Sequence, residues 1–217
     1  MNEPIHEVVD CGCSPRPPAP FSEDAQTMHP FSFDLFQGIH FFADFAVNEP
    51  KAKNRRYYNT AAVTTAAAGL EAMLNEQISL SATLKVNPQE LYAALDNAKK
   101  DISLKDKWNL FAAIRKTTPW DSGKEPYQSC EILFALRNEI MHYKAHFLTH
   151  NEAPIKKLQS LLDQIEPTVK PEYRDDTKYW LITILESKNL AGWIKERIRW
   201  DILFDLLMMK PRETESK

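Results

Sequence analysis

The chain has 217 residues, 43% of them hydrophobic and 26% charged, a length that buries a core without disulfide or metal staples. Its 27 basic and 30 acidic residues leave a net charge of −3, which excludes a polycation and confines any nucleic-acid surface to a local patch. Five glycines and three cysteines exclude glycine-rich phosphate loops, sandwich-type turn patterns and a disulfide framework.

Residues 1–20 hold Pro4, Pro15, Pro17, Pro18 and Pro20 with almost no apolar periodicity, the pattern of a disordered Pro-rich arm. The arm has neither the basic start nor the apolar run of a signal peptide, and the sparse cysteines suit a reducing compartment, so the expected location is cytoplasmic. No stretch carries the ~20 apolar residues a membrane span needs, so no membrane partner is expected. Residues 21–209 read as one helical domain. Phe33, Phe36, Ile39, His40 and Ala43 follow helical spacing towards Pro50. The proline-free run Tyr57 to Leu84, rich in Ala, Leu and Met, predicts one long helix. Asn87-Pro88 is a cap followed by proline at a first helical position, opening a further helix through Lys100. Trp108, Phe111, Ala112 and Arg115 predict a helix ending before Thr118-Pro119, and a polar loop follows. Leu133, Leu136, Ile140, Tyr143 and Phe147 predict a helix from Tyr127 to about His150. Three more helices are expected over 153–166, 174–187 and 191–209; within the same domain, 170–209 is either part of the bundle or a C-terminal helical extension that covers its active face, and 210–217 is a solvated tail. No segment alternates as a strand does, so the fold class is all-α.

The helix from Cys130 to Lys144 carries the chemistry. At about 100° per residue its apolar stripe is Leu133, Leu136, Ile140 and Tyr143, while Arg137, Asn138 and His142 take a flank and the back. Asn138 and His142 are i, i+4 neighbours. Arg137 and His142 diverge by about 140°, so one straight helix closes poorly on a single phosphate, whereas a kink or the same helix of a second subunit would solve the geometry.

The segment Arg137-Asn138-Glu139-Ile140-Met141-His142 resembles the signature of the HEPN superfamily: an arginine, a polar residue, then a histidine four to six positions on. The preceding segment AAAGLEAMLNEQI is similar to the alanine-rich helix of those proteins, and the layout of residues 30 to 165 matches in general terms. The resemblance implies an HEPN-like bundle, a homodimer in which motif helices meet, and a composite ribonuclease site without metal or other cofactor. It also implies a toxin or defence role, with an antitoxin or another protein as partner. The residue types suit that chemistry. Cleaving RNA without a metal needs a proton taken from a 2′-hydroxyl and one given to the leaving oxygen, which histidine does near neutral pH. Arginine's planar fork grips phosphate and stabilises its added charge. The assigned roles are His142 as general base or acid, Arg137 as phosphate clamp and Asn138 as orienter. The alternative is a non-catalytic module of the same fold that binds RNA, nucleotide or protein.

Other constellations compete. Glu139, His142, His146 and His150 have ligand-like spacing, but a di-iron bundle needs a second such helix and a zinc site a third ligand, so no metal is expected. Lys51, Lys53, Arg55 and Arg56, followed by Tyr57 and Tyr58, form the clearest basic patch. Cations at a helix start oppose its dipole, and aromatics beside them suit single-stranded RNA, so Lys51, Lys53, Arg55, Arg56 and Tyr57 join Lys144 as RNA-binding candidates. A solvated interhelical loop is the plainer reading of the same stretch. The string Phe31, Phe33, Phe36, Phe41, Phe42 and Phe45 is expected to serve the core and a subunit interface.

Overall fold

The computed structural model describes residues 30–84, 102–142, 155–166 and 180–208, and within them every regular element is a helix. The Pro-rich arm, Cys11 and Cys13, the helix expected after Asn87-Pro88, Lys144, His146, His150 and the tail all lie outside the described residues.

Helix α1 (Phe31–Asn48) and helix α2 (Ala52–Leu84) form a hairpin around Glu49-Pro50-Lys51. The short connection makes them antiparallel. The far end confirms this, because Glu76 of α2 accepts from the Ser32 backbone N–H at 2.8 Å and the Ser32 hydroxyl at 2.5 Å. That carboxylate caps the first turn of α1, where free N–H groups and the helix dipole favour negative charge. The pair packs closely because two glycines sit at the contact. A Cβ on Gly38 would stand 3.2 Å from the Thr65 methyl, and one on Gly69 would stand 3.3 Å from the Phe36 ring.

Helix α3 (Leu104–Arg115) starts at Ser103, whose hydroxyl accepts from the Asp106 N–H at 3.2 Å. It stops at Lys116, a left-handed residue at φ 54°, with Thr117 N–H returning to the Ala112 carbonyl. Helix α4 (Tyr127–Met141) carries the motif, and helix α5 (Lys156–Ile165) lies against it. The expected C-terminal extension is three pieces: α6 (Trp180–Glu186), α7 (Asn189–Arg197) and α8 (Trp200–Met208). The single helix expected over 191–209 is thus broken, and without Gly or Pro. Ile198 leaves helical geometry at φ −106°, ψ 73° and is buried, while Trp200 turns to stack on Phe204 and meets Phe33 edge-on.

Helix α2 is the axis of the bundle, touching α1, α3, α4, α6 and α7. One core cluster draws on all eight helices of the described residues, from Phe36 and Ile39 through Leu70, Trp108, Leu136 and Leu161 to Ile184, Ile194 and Leu203. Helices α6–α8 therefore belong to the main core. Of the aromatic string only Phe36 is buried. Phe31, Phe33, Phe41 and Phe45 are exposed, and Phe45 stacks on Tyr58 at 5.4 Å, so the expected core role fails for most of α1's rings. Their positions alternate away from the α2 contact line at Phe36, Ile39, Ala43 and Ala46.

Candidate functional site

Three aromatic rings set the site's geometry. Trp108 and Trp120 meet edge-on at 5.6 Å, and Tyr127 lies 4.9 Å from Trp120. The Trp108 indole N–H donates to the Thr118 carbonyl at 3.0 Å, and the Trp120 backbone N–H donates to Asn109 Oδ1 at 2.8 Å. These bonds fold the loop after α3 onto the start of α4 and aim it at Glu131.

Glu131 gathers donors from three directions. One oxygen accepts from Trp120 Nε1 at 3.1 Å and the Ser122 hydroxyl at 2.6 Å, and the other accepts from Lys157 Nζ at 2.5 Å. Burial raises its pKa, but the hydrogen bonds from Lys157, Ser122 and Trp120 outweigh burial and hold the carboxyl down at about 2. Beside it the Cys130 thiol is buried, and burial together with Glu125 and Glu131 pushes its pKa up, which favours the protonated thiol.

Above this network an open cleft of about 880 Å³ runs along the back of α4. Glu131, Phe134, Ala135 and Asn138 line it at the i, i+3, i+4, i+7 spacing of one helix face, with Arg137 at the edge. Ser103 to Lys105 form part of the opposite wall, and Ile155 and Lys157 come from the start of α5. Among the described residues that line it, none comes from α6–α8.

The motif residues are only partly brought together. Arg137 is half-buried and donates from Nη1 to Asn138 Oδ1 at 3.0 Å, and both side chains line the cleft. His142 is exposed and is the C-cap of α4, its N–H bonded to the Asn138 carbonyl at 2.8 Å. The helix ends at Met141, residues 143–150 of the helix expected to reach His150 lie outside the described residues, and His142 is absent from the cleft lining. By the helical wheel it points the same way as Glu131 and Ala135, one turn past Asn138. Among the described residues no three His, Cys, Asp or Glu side chains gather as a metal-ligand set. No helix of the described residues is long and apolar enough to cross a membrane.

The basic patch divides. Lys51, Lys53 and Tyr57 are exposed. Arg55 is buried, and its guanidinium is consumed by backbone: Nε and Nη2 donate to the Glu49 carbonyl at 3.2 and 2.8 Å, and Nη1 donates to the Glu186 carbonyl at 2.6 Å. Arg56 is ion-paired with Glu186. Arg55 therefore leaves the RNA-binding set, since its side chain satisfies the carbonyl ends of α1 and α6, and Arg56 has its charge already matched.

Glu131, Lys157, Lys105 and Ser122 were missed by sequence reasoning. The available signal was that Glu131 shares a helix face with Asn138 seven residues on, while its partners lie on other elements. In comparison with known proteins, no family model, curated protein or solved structure matches the chain.

Proposed function

We propose that the chain is an HEPN-like, metal-independent endoribonuclease working as a homodimer, with Arg137 clamping the phosphate, Asn138 orienting and His142 exchanging protons. The observation that carries this reading is the open cleft at Arg137 and Asn138, with an exposed imidazole one turn further along the same face. Because Arg137 and His142 diverge on one helix, a composite site would join Arg137 of one copy to His142 of a second across a two-fold axis. The exposed rings of Phe41 and Phe45 supply an apolar face of the kind subunits cover. A toxin or defence role, with an antitoxin as partner, rests on the motif resemblance alone.

One observation favours the second reading, a binding module that does not cut: His142 stands outside the cleft lining. The test is incubation of the purified protein with labelled single-stranded RNA in the presence of chelator, beside Arg137→Ala and His142→Ala. The enzyme reading expects chelator-resistant cleavage that falls at least about 100-fold in both variants. Cleavage unchanged in His142→Ala would overturn the site, and absence of cleavage by the wild type would leave the binding module.

A further inference from the structure

We propose that the cleft along α4 is a subsite for one unpaired nucleotide, which stacks its base on Phe134 and sets its phosphate between Lys105 and Arg137. The inference rests on the RNA reading above and names the part of the substrate that this face would hold.

The cleft is of ligand size, and a nucleotide fills only part of it. Its apolar lining includes Phe134, Ala135, Leu104 and Ile155, with the half-buried Phe134 ring in the row between Glu131 and Asn138. An aromatic ring at an open cleft takes a base by stacking, without regard to pairing partners.

Three cations from three helices stand around it: Lys105 of α3, Arg137 of α4 and Lys157 of α5. They differ in what already holds them. Lys157 is spent on Glu131 at 2.5 Å. Lys105 makes only a long contact to the neutral Ser122 hydroxyl at 3.4 Å, and Arg137 bonds a neutral amide oxygen. These two are the cations suited to a phosphate.

Glu71, Glu131 and Glu139 also line the cleft, so three carboxylates balance three cations. A balanced cleft is no electrostatic track for a long polyanion. It admits one phosphate beside its cations, while Glu71 and Glu139 match the N–H donors on a base edge. Glu131 is the positioning residue: bound to Trp120, Ser122 and Lys157, it joins the loop, α4 and α5 into one wall.

The test is calorimetric titration of the full chain with each of the four ribonucleoside 5′-monophosphates and with the matching nucleosides. Expected are saturable binding of at least one monophosphate, at least fivefold weaker binding of its nucleoside, and three- to tenfold losses in Lys105→Ala and in Phe134→Leu. Raising salt from 50 to 200 mM should weaken binding by no more than about threefold, because a single phosphate is screened by salt but carries no condensed counterion atmosphere to release. Phe134→Leu keeps an apolar, somewhat smaller side chain at this half-buried position, and the nucleoside comparison needs no variant, so a folding defect does not decide the result. Absence of saturable binding, equal affinity for nucleoside and monophosphate, or binding unchanged in both variants would overturn the proposal. Monophosphate binding without RNA cleavage would uphold the subsite and remove the ribonuclease, and cleavage without monophosphate binding would do the reverse.

Discussion

Two basic regions of this chain look alike on paper and differ in the fold. Arg55 and Arg137 are both helical arginines next to polar or charged neighbours. Arg55 is enclosed where the ends of α1 and α6 converge, and its donors are taken by the Glu49 and Glu186 carbonyls. Arg137 lies on an open cleft and donates to a neutral neighbour one residue away. What separates them is the company of helix C-termini. Terminal carbonyls lack intrahelical partners, and an arginine within reach of two such ends becomes part of the structure. An arginine whose helix neighbours point into a cleft keeps its charge for a ligand.

The contrast breaks most sharply at Arg55. Removing its side chain strands half-buried carbonyls at two helix ends and empties a buried site, so Arg55→Ala should cost about 3–4 kcal/mol in urea denaturation. Arg55→Lys should recover less than half, because one ammonium cannot span both ends as the planar fork does. A cost below about 1 kcal/mol would place Arg55 back among the exposed cations. Asn59 works in the same seam, its amide donating to the Leu185 and Ser187 carbonyls at 2.8 and 2.9 Å. Asn59→Ala should therefore cost about 2 kcal/mol by the same measurement, and should couple to Arg55→Ala in a double-mutant cycle, since both hold the end of α6.

The reach of these bonds explains what could be read beforehand. Apolar spacing exposed α1 to α4 because the hairpin, the capped α3 and the stripe of α4 are written within each segment. Arg55 and Glu186 are 131 residues apart, and nothing local to Arg55-Arg56 distinguishes a carbonyl clamp from a phosphate clamp. The same holds for Glu131, whose ammonium partner is 26 residues away at the start of α5. The break at Ile198 was hidden for a related reason: the burial of Ile198 and the stacking of Trp200 are tertiary, and no Gly or Pro marks them. At the candidate site, residue types and the Arg137–His142 spacing were legible in the sequence. The end of α4 at Met141, which leaves His142 past the cleft, was not.

Glu131 sharpens the comparison from the cleft side. Its carboxyl is held at about 2, against an ordinary 4.5, by the bonds from Lys157, Ser122 and Trp120. A carboxyl with a depressed pKa stabilises the fold above its unfolded value and loses that contribution as pH falls. The gain should be complete above about pH 5 and fade between about 4.5 and 2. Its side chain is partly open to water, so the effect at pH 7 is discounted for screening to about 1–2 kcal/mol. Glu131→Gln should lose that amount at pH 7 and close the gap to the wild type near pH 2. A gap that persists unchanged in acid would mean that packing, not charge, makes the contribution.

The smallest stability effect is expected at Arg137, and its smallness is the point. The side chain sits at the cleft edge, makes a bond to Asn138 that neither residue needs for its backbone, and satisfies no helix end. Arg137→Ala should shift the urea midpoint by less than about 0.5 kcal/mol, while the RNA and monophosphate assays carry the loss. Set against the 3–4 kcal/mol expected at Arg55, such a result would separate an arginine that builds the protein from one that the protein presents. A loss above about 2 kcal/mol at Arg137 would instead make it a second structural clamp, and the case for a phosphate at the cleft would then rest on Lys105 alone.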